Sequence, residues 1–120
     1  MKKFLAIYKG HPESLSHIEW NKLTQVEQQK RMQQGMASWG KWMQDHNSNV
    51  DYAGGPLGKT LAVSKDGVAQ VKNKDCGYVI VEAETHEEAA KMFLNHPHFS
   101  IFPGEGVEVM ECLPIPGSKN

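Results

Sequence analysis

Hydrophobic residues recur at two spacings along this chain, every second position in some stretches and every third or fourth in others, and the changes of spacing mark its elements. Residues 3–9, KFLAIYK, place Phe4, Ala6 and Tyr8 against Leu5 and Ile7. Both sets are apolar, so this strand needs cover on both faces. His11-Pro12-Glu13 then breaks the pattern, because a proline disfavours helix at the residue before it. From Thr24 the period becomes helical. Thr24 and Glu27 have the spacing of a capping box, and Met32, Met36, Trp39 and Met43 follow at intervals of four, three and four. That stripe predicts a long helix over Gln25 to His46 with an apolar face. Gly35 and Gly40 interrupt it, and a glycine inside a helix marks close approach by another backbone or a bulky group.

Residues 47–58, NSNVDYAGGPLG, read as a turn centred on Gly54-Gly55-Pro56. Lys59 to Ser64 reads as a strand, Lys65-Asp66-Gly67 as a hairpin turn and Val68 to Val71 as the return. Gly77 to Ala83, GYVIVEA, is the strongest strand pattern in the chain. Thr85 and Glu88 repeat the capping-box spacing and open a second helix over Glu87 to Asn95, which Pro97 stops. Val107 to Leu113 forms the last strand. No repeat interrupts this order, and residues 1–120 are expected to form a single domain.

Strand, helix, two or three strands, helix and strand pack most simply as an α+β, ferredoxin-like βαββαβ sandwich, with both helices on one face of an antiparallel sheet. The strands are apolar on both sides. Val79, Val81 and Ala83 oppose Tyr78 and Ile80, and Val107 and Val109 oppose Met110 and Cys112. The face without helices therefore needs a second copy of the sheet, which predicts a homodimer closed into an α+β barrel.

Charge narrows the partners. Lysine plus arginine is 13 against 14 acidic residues, a net charge of −1, and nucleic acid is not expected without a positive field to meet phosphate. The apolar run near the N-terminus is too short for a secretory signal and none is long enough to span a membrane. Two cysteines in no CxxC unit form no disulfide framework. A cytoplasmic protein with no membrane partner is expected.

The opening KKFLAIYKG, Gly54-Gly55-Pro56-Leu57, GYVIVEAET leading into EEAAKMF, and the closing GVEVMECLPIPG together resemble the YCII-related (YciI-like, DGPF) family from about residue 3 to residue 117. The resemblance implies a dimeric α+β barrel with a pocket between sheet and helices of each protomer. It implies no settled reaction; lyase- or isomerase-like chemistry on small cyclic compounds has been proposed for some members. Those enzymes rely on a histidine on the first long helix paired with an aspartate. Here the matching helix reads Met36, Ala37, Ser38 and Trp39, and Gly54 stands where the DGPF branch has its aspartate. The family's dyad does not carry over.

Other residues are the candidates for chemistry. His96-Pro97-His98 is the densest histidine cluster, able to supply an acid/base; its plainer reading is a polar helix stop. Asp51 precedes the glycine-rich turn and would act as a base toward an adjacent pocket, or simply cap the turn. Tyr8 and Trp39 would line an apolar pocket suited to a flat ligand, or simply belong to the core as a helical aromatic and methionine stripe usually does. Gly54, Gly55 and Pro56 would let a backbone approach the ligand closely, or are ordinary turn chemistry. No cysteine lies near enough to His96 and His98 to complete a zinc set, and no phosphate loop surrounds the glycines. Neither a metal nor a cofactor is expected. The functions to separate are a small-molecule-binding homodimer, an enzyme of lyase or isomerase type using His98 or His96, and a module that only dimerises.

Overall fold

A computed structural model of the chain describes residues 1–117. The elements run β1 (Lys2–Lys9), α1 (Leu15–Asn21), α2 (Gln25–Asp45), β2 (Val50–Pro56), β3 (Thr60–Ser64), β4 (Gly67–Val71), β5 (Asp75–Ala83), α3 (His86–Lys91), α4 (Pro97–Ser100) and β6 (Gly106–Glu111). The main sheet has the order β2-β5-β1-β6 with every pair antiparallel. With the β3–β4 hairpin taken as an insertion, this is the ferredoxin-like α+β order. None of the helices is long and apolar enough to cross a membrane among the described residues.

Register sorts the strand residues by face. Phe4 pairs with Val81, Ala6 with Val79 and Tyr8 with Gly77, so these side chains share one side of the sheet. That side is the core: Phe4, Ala6, Val79 and Val81 are fully buried, with Ala89 and Trp42 packed over them from α3 and α2 and Phe93 from the turn after α3. Each large side chain buried there contributes about 1.5–3 kcal/mol. Leu5, Ile7, Tyr78 and Ile80 point to the other side, where they are only half-buried.

The capping box at Thr24 and Glu27 forms in both directions, and α2 runs to Asp45. Its inward stripe differs from the expected methionine stripe. Gly35 and Trp42 are buried and Trp39 and Met43 half-buried, while Met32 and Met36 are exposed. Volume explains the choice, because indoles reach the sheet from one helix face and flexible methionines can remain outside it. Gly35 receives the Phe102 ring, with which a Cβ would collide, whereas nothing lies within 4 Å of a Cβ at Gly40.

Gly54-Gly55-Pro56 is not a turn. All three belong to β2, with Gly55 paired to Tyr78 and Pro56 to Gly77. The register slips between Tyr52 and Gly55, and Gly54 sits at φ +64°, where a Cβ would overlap the Tyr78 carbonyl. The glycine is thus a bulge residue inside a strand, and Pro56 is tolerated because β2 is an edge strand. The second helix stops at Lys91, short of the expected Asn95. Asn95 takes φ +57°, a left-handed break that turns the chain into α4.

Candidate functional site

His96 is the N-cap of α4 and Pro97 its first residue, so His-Pro-His opens a short helix and does not close the preceding one. Proline's fixed φ suits that first helical position. The His98 backbone N–H donates to His96 Nδ1 at 3.0 Å. A nitrogen that accepts must carry a lone pair, so neutral His96 bears its proton on Nε2. That N–H faces the Tyr8 hydroxyl oxygen at 3.4 Å. His98 Nε2 lies 2.7 Å from the Lys9 carbonyl, which can only accept. His98 therefore bears its proton on Nε2 and keeps its lone pair on Nδ1.

Aromatic rings enclose this pair. The Trp39 ring meets His96 edge-on with centroids 4.5 Å apart, Trp42 lies 4.8 Å from His96, and Tyr8 lies 5.1 Å from His96 and 5.2 Å from His98. Trp42 Nε1 donates to the Met92 carbonyl at 2.8 Å, which fixes its indole. Burial dominates the electrostatics. It lowers the His96 pKa to about 4, with smaller contributions from His98 and His46, and lowers that of His98 against the opposing Lys9 hydrogen bond. It also holds the Tyr8 phenol protonated well above the usual range. At neutral pH the cluster is uncharged.

His96 is 0 % exposed and His98 9 %, and this small difference matters. His98 forms part of the wall of a cleft of about 350 Å³ that also includes His11, His17, Lys74, Cys76 and Phe102. Gly104 clamps the histidine: its N–H donates to the His98 carbonyl at 2.9 Å, and a Cβ on it would overlap both that oxygen and the imidazole Nε2. Lys9 carries ion pairs to Asp75 and Glu108, and Lys74 one to Glu105. Burial raises the Cys76 thiol pKa, and Asp75 and Glu105 add to the rise. That thiol is a poor nucleophile near neutrality.

The fold thus brings Tyr8, Trp39, His96 and His98 together from β1, α2 and the start of α4. Pro56 occupies the same cross-strand row as Gly77 and Tyr8, two strands away, with Gly55 beside it. Asp51 is elsewhere. It pairs with Lys3 at 3.5 Å, five residues along β1 from Tyr8, or roughly 17 Å at strand rise. It lines a separate groove of about 480 Å³ with Met43, Gln44 and Asn47. Gly54 serves the bulge against Tyr78. Among the described residues no group of three or more His, Cys, Asp or Glu side chains is arranged to hold a metal ion.

Sequence reasoning missed Phe102 and the cleft roles of His17, Lys74 and Cys76. The stretch from His11 to Leu23, which includes α1, is more than a linker. It lends His11 and His17 to the cleft wall and rests half-buried Trp20 against Phe102, 6.4 Å between centroids. The visible signal is Gly35, a notch on α2 that the Phe102 ring fills. Gly35→Ala is expected to cost about 1 kcal/mol and to push Phe102 toward the cleft, read as a change in tryptophan emission from Trp20 and Trp39.

No family model and no curated relative matches the chain. Among solved structures it is similar to the 5-chloro-2-hydroxyhydroquinone dehydrochlorinase TftG from Burkholderia phenoliruptrix AC1100, determined in complex with 2,5-dihydroxybenzoquinone. The two are 20 % identical over 89 % of each chain, with a TM-score of 0.50. At that identity the likeness is one of fold.

Proposed function

We propose that the chain is a YciI-like, single-domain cytoplasmic homodimer that binds a small cyclic molecule in the cleft ending at His98, between sheet and helices. One observation carries this reading: His98 belongs both to the buried Tyr8–His96 cluster and to the cleft wall. Tyr8 and Trp39 pack behind His98, their ring centroids 5.2 and 6.2 Å from its own, and give the site an apolar backing, while Gly55 and Pro56 are not among the residues that line the cleft. The uncharged cluster favours a neutral or weakly acidic molecule over a phosphate. The dimer is supported by the outer sheet face, where Leu5, Ile7, Tyr78 and Ile80 lie between ion pairs at Lys3–Asp51 and Lys9–Asp75. An apolar centre with a charged rim is interface anatomy.

The second reading, an enzyme of lyase or isomerase type, is favoured by the lone pair on His98 Nδ1. Burial keeps that imidazole unprotonated near neutrality, ready to take a proton from a ligand carbon or hydroxyl. His96 then acts behind it, donating to the Tyr8 oxygen, and Asp51 takes no part. The solved neighbour is a 5-chloro-2-hydroxyhydroquinone dehydrochlorinase, and that substrate suggests a first probe.

Calorimetric titration with 2-hydroxyhydroquinone kept from air, the dechlorinated parent of the neighbour's named substrate and uncharged near neutrality, tests the pair of readings. His98→Ala is expected to weaken binding at least about tenfold. His98→Gln, whose amide can still donate to the Lys9 carbonyl, should keep binding within about threefold but abolish conversion of a chlorinated hydroxyhydroquinone. Retained conversion by His98→Gln would remove His98 as the base, and no binding by the wild-type protein would sink the cyclic-ligand reading.

A further inference from the structure

The β3–β4 hairpin forms a sheet of its own and packs on no other element to any extent. Two antiparallel strands of five residues each are marginally stable alone in water, so an arm of this kind needs a surface to rest on. Its pairing places Leu61 and Val63 on the same face as Val68, with Val63 directly opposite Val68. They are 61 %, 77 % and 65 % exposed. An apolar patch of this kind on an arm marks a contact. The chain's radius of gyration is 16.5 Å, against about 13.6 Å for a compact chain of its length, so it is extended in the way of a chain whose projections are buried elsewhere.

Charge identifies the occupant. Residues 57–74 carry Lys59, Lys65, Lys72 and Lys74 against Asp66 alone, a net +3. With a total of −1, the remainder of the chain carries −4, so the arm of one copy is complementary to the body of another. At its root the arm continues into the cleft and the sheet edge: Leu57 N–H bonds the Cys76 carbonyl, and Lys74 and Cys76 belong to the cleft wall. From these observations we infer that the β3–β4 arm is a reciprocal clamp in the homodimer, its Leu61–Val63–Val68 face laid on the acidic body of a second copy and its root held in place as a wall of the ligand cleft. This rests on the dimeric reading proposed above. A two-fold axis repeats the contact, so each copy both gives and receives an arm.

Val63→Glu combined with Val68→Lys removes two of the three apolar side chains of the face while leaving the arm's net charge unchanged. The new charges face each other across the hairpin and support its pairing. Sedimentation velocity of the full chain across a wide range of concentration is the readout, with Ile80→Lys on the outer sheet face as the comparison. The dimer dissociation constant of the arm variant is expected to rise at least about tenfold, with its melting curve as a monomer unaltered. An unchanged dissociation constant in the arm variant, with Ile80→Lys dissociated, overturns the clamp and leaves the dimer standing. A wild-type monomer overturns both, as does arm-dependent binding of that monomer to anionic phospholipid vesicles.

Discussion

Gly104→Ala is expected to destabilise the protein by about 3 kcal/mol and to lower its melting temperature by about 10 °C. The added methyl group would overlap two atoms of His98, the ring Nε2 and the backbone carbonyl oxygen. A ring can swing aside, but the carbonyl is fixed because it already accepts the Gly104 N–H. The chain must then break that bond or pull α4 away from β1. Either movement separates His98 Nε2 from the Lys9 carbonyl and withdraws the imidazole from the cleft. Gly106→Ala supplies the control, since nothing lies within 4 Å of a Cβ there, and its melting temperature should stay close to that of the parent. The pair separates a steric clamp on His98 from the general effect of replacing a glycine. Equal melting of Gly104→Ala and the parent would dissolve the clamp.

The same clamp shows what a sequence can and cannot reveal. The strand at GYVIVEA, the capping box at Thr24 and the Lys65-Asp66-Gly67 hairpin turn are local patterns, and each forms. Gly54-Gly55-Pro56 is local as well, yet it lies in an edge strand. A bulge and a turn require the same residue types, and only the β5 partner decides between them. The methionine stripe of α2 failed for a related reason: periodicity identifies a face, but volume across the interface decides which rotation is buried. Gly35 signalled a close approach while identical logic at Gly40 signalled nothing, because what matters is the opposite surface.

The candidate site divides along the same line. Tyr8 and His96 lie 88 positions apart, and their meeting depends on the sheet order and on α4 passing above β1. His96 and His98 stood out by density, while Tyr8 and Trp39 stood out as aromatic residues on elements expected to face each other. Cys76 and Lys74 had no such signal, because they line the cleft only where the start of β5 meets the end of β1, with the Gly10 N–H donating to the Lys74 carbonyl. Asp51 carried the right chemistry and lay one bulge away from the Gly-Pro pair in sequence. The strand places it at the opposite end of the sheet from Tyr8.

Stability should fall by about 2–3 kcal/mol between pH 6.5 and pH 4, allowing for solvent screening where His98 meets the cleft. His96 in the folded protein titrates at about 4 because burial disfavours its cation. In the unfolded chain it titrates near 6.5. Across that window the unfolded state binds the extra proton, so stability rises with pH and is lost as pH falls, the loss from this group tapering off as pH passes below about 4. His98 is lowered in the same direction, and no carboxylate is among the causes of either shift to compensate the charge. The phenol of Tyr8 sets the opposite limit: burial favours its protonated form, so its contribution is retained below pH 10 and declines above it. His96→Asn isolates the acid limb. Asparagine is a good N-cap residue and its side-chain oxygen can accept the His98 N–H, but it does not titrate. The variant should start less stable at pH 7, by about 1–2 kcal/mol for the lost ring contacts, and lose less on acidification. Urea unfolding at several pH values separates the two effects, since the intercept reports packing and the slope against pH reports proton uptake. If the parent and His96→Asn show parallel slopes from pH 6.5 to 4, His96 is not held neutral by its aromatic enclosure, and the uncharged site that favours a neutral ligand goes with it.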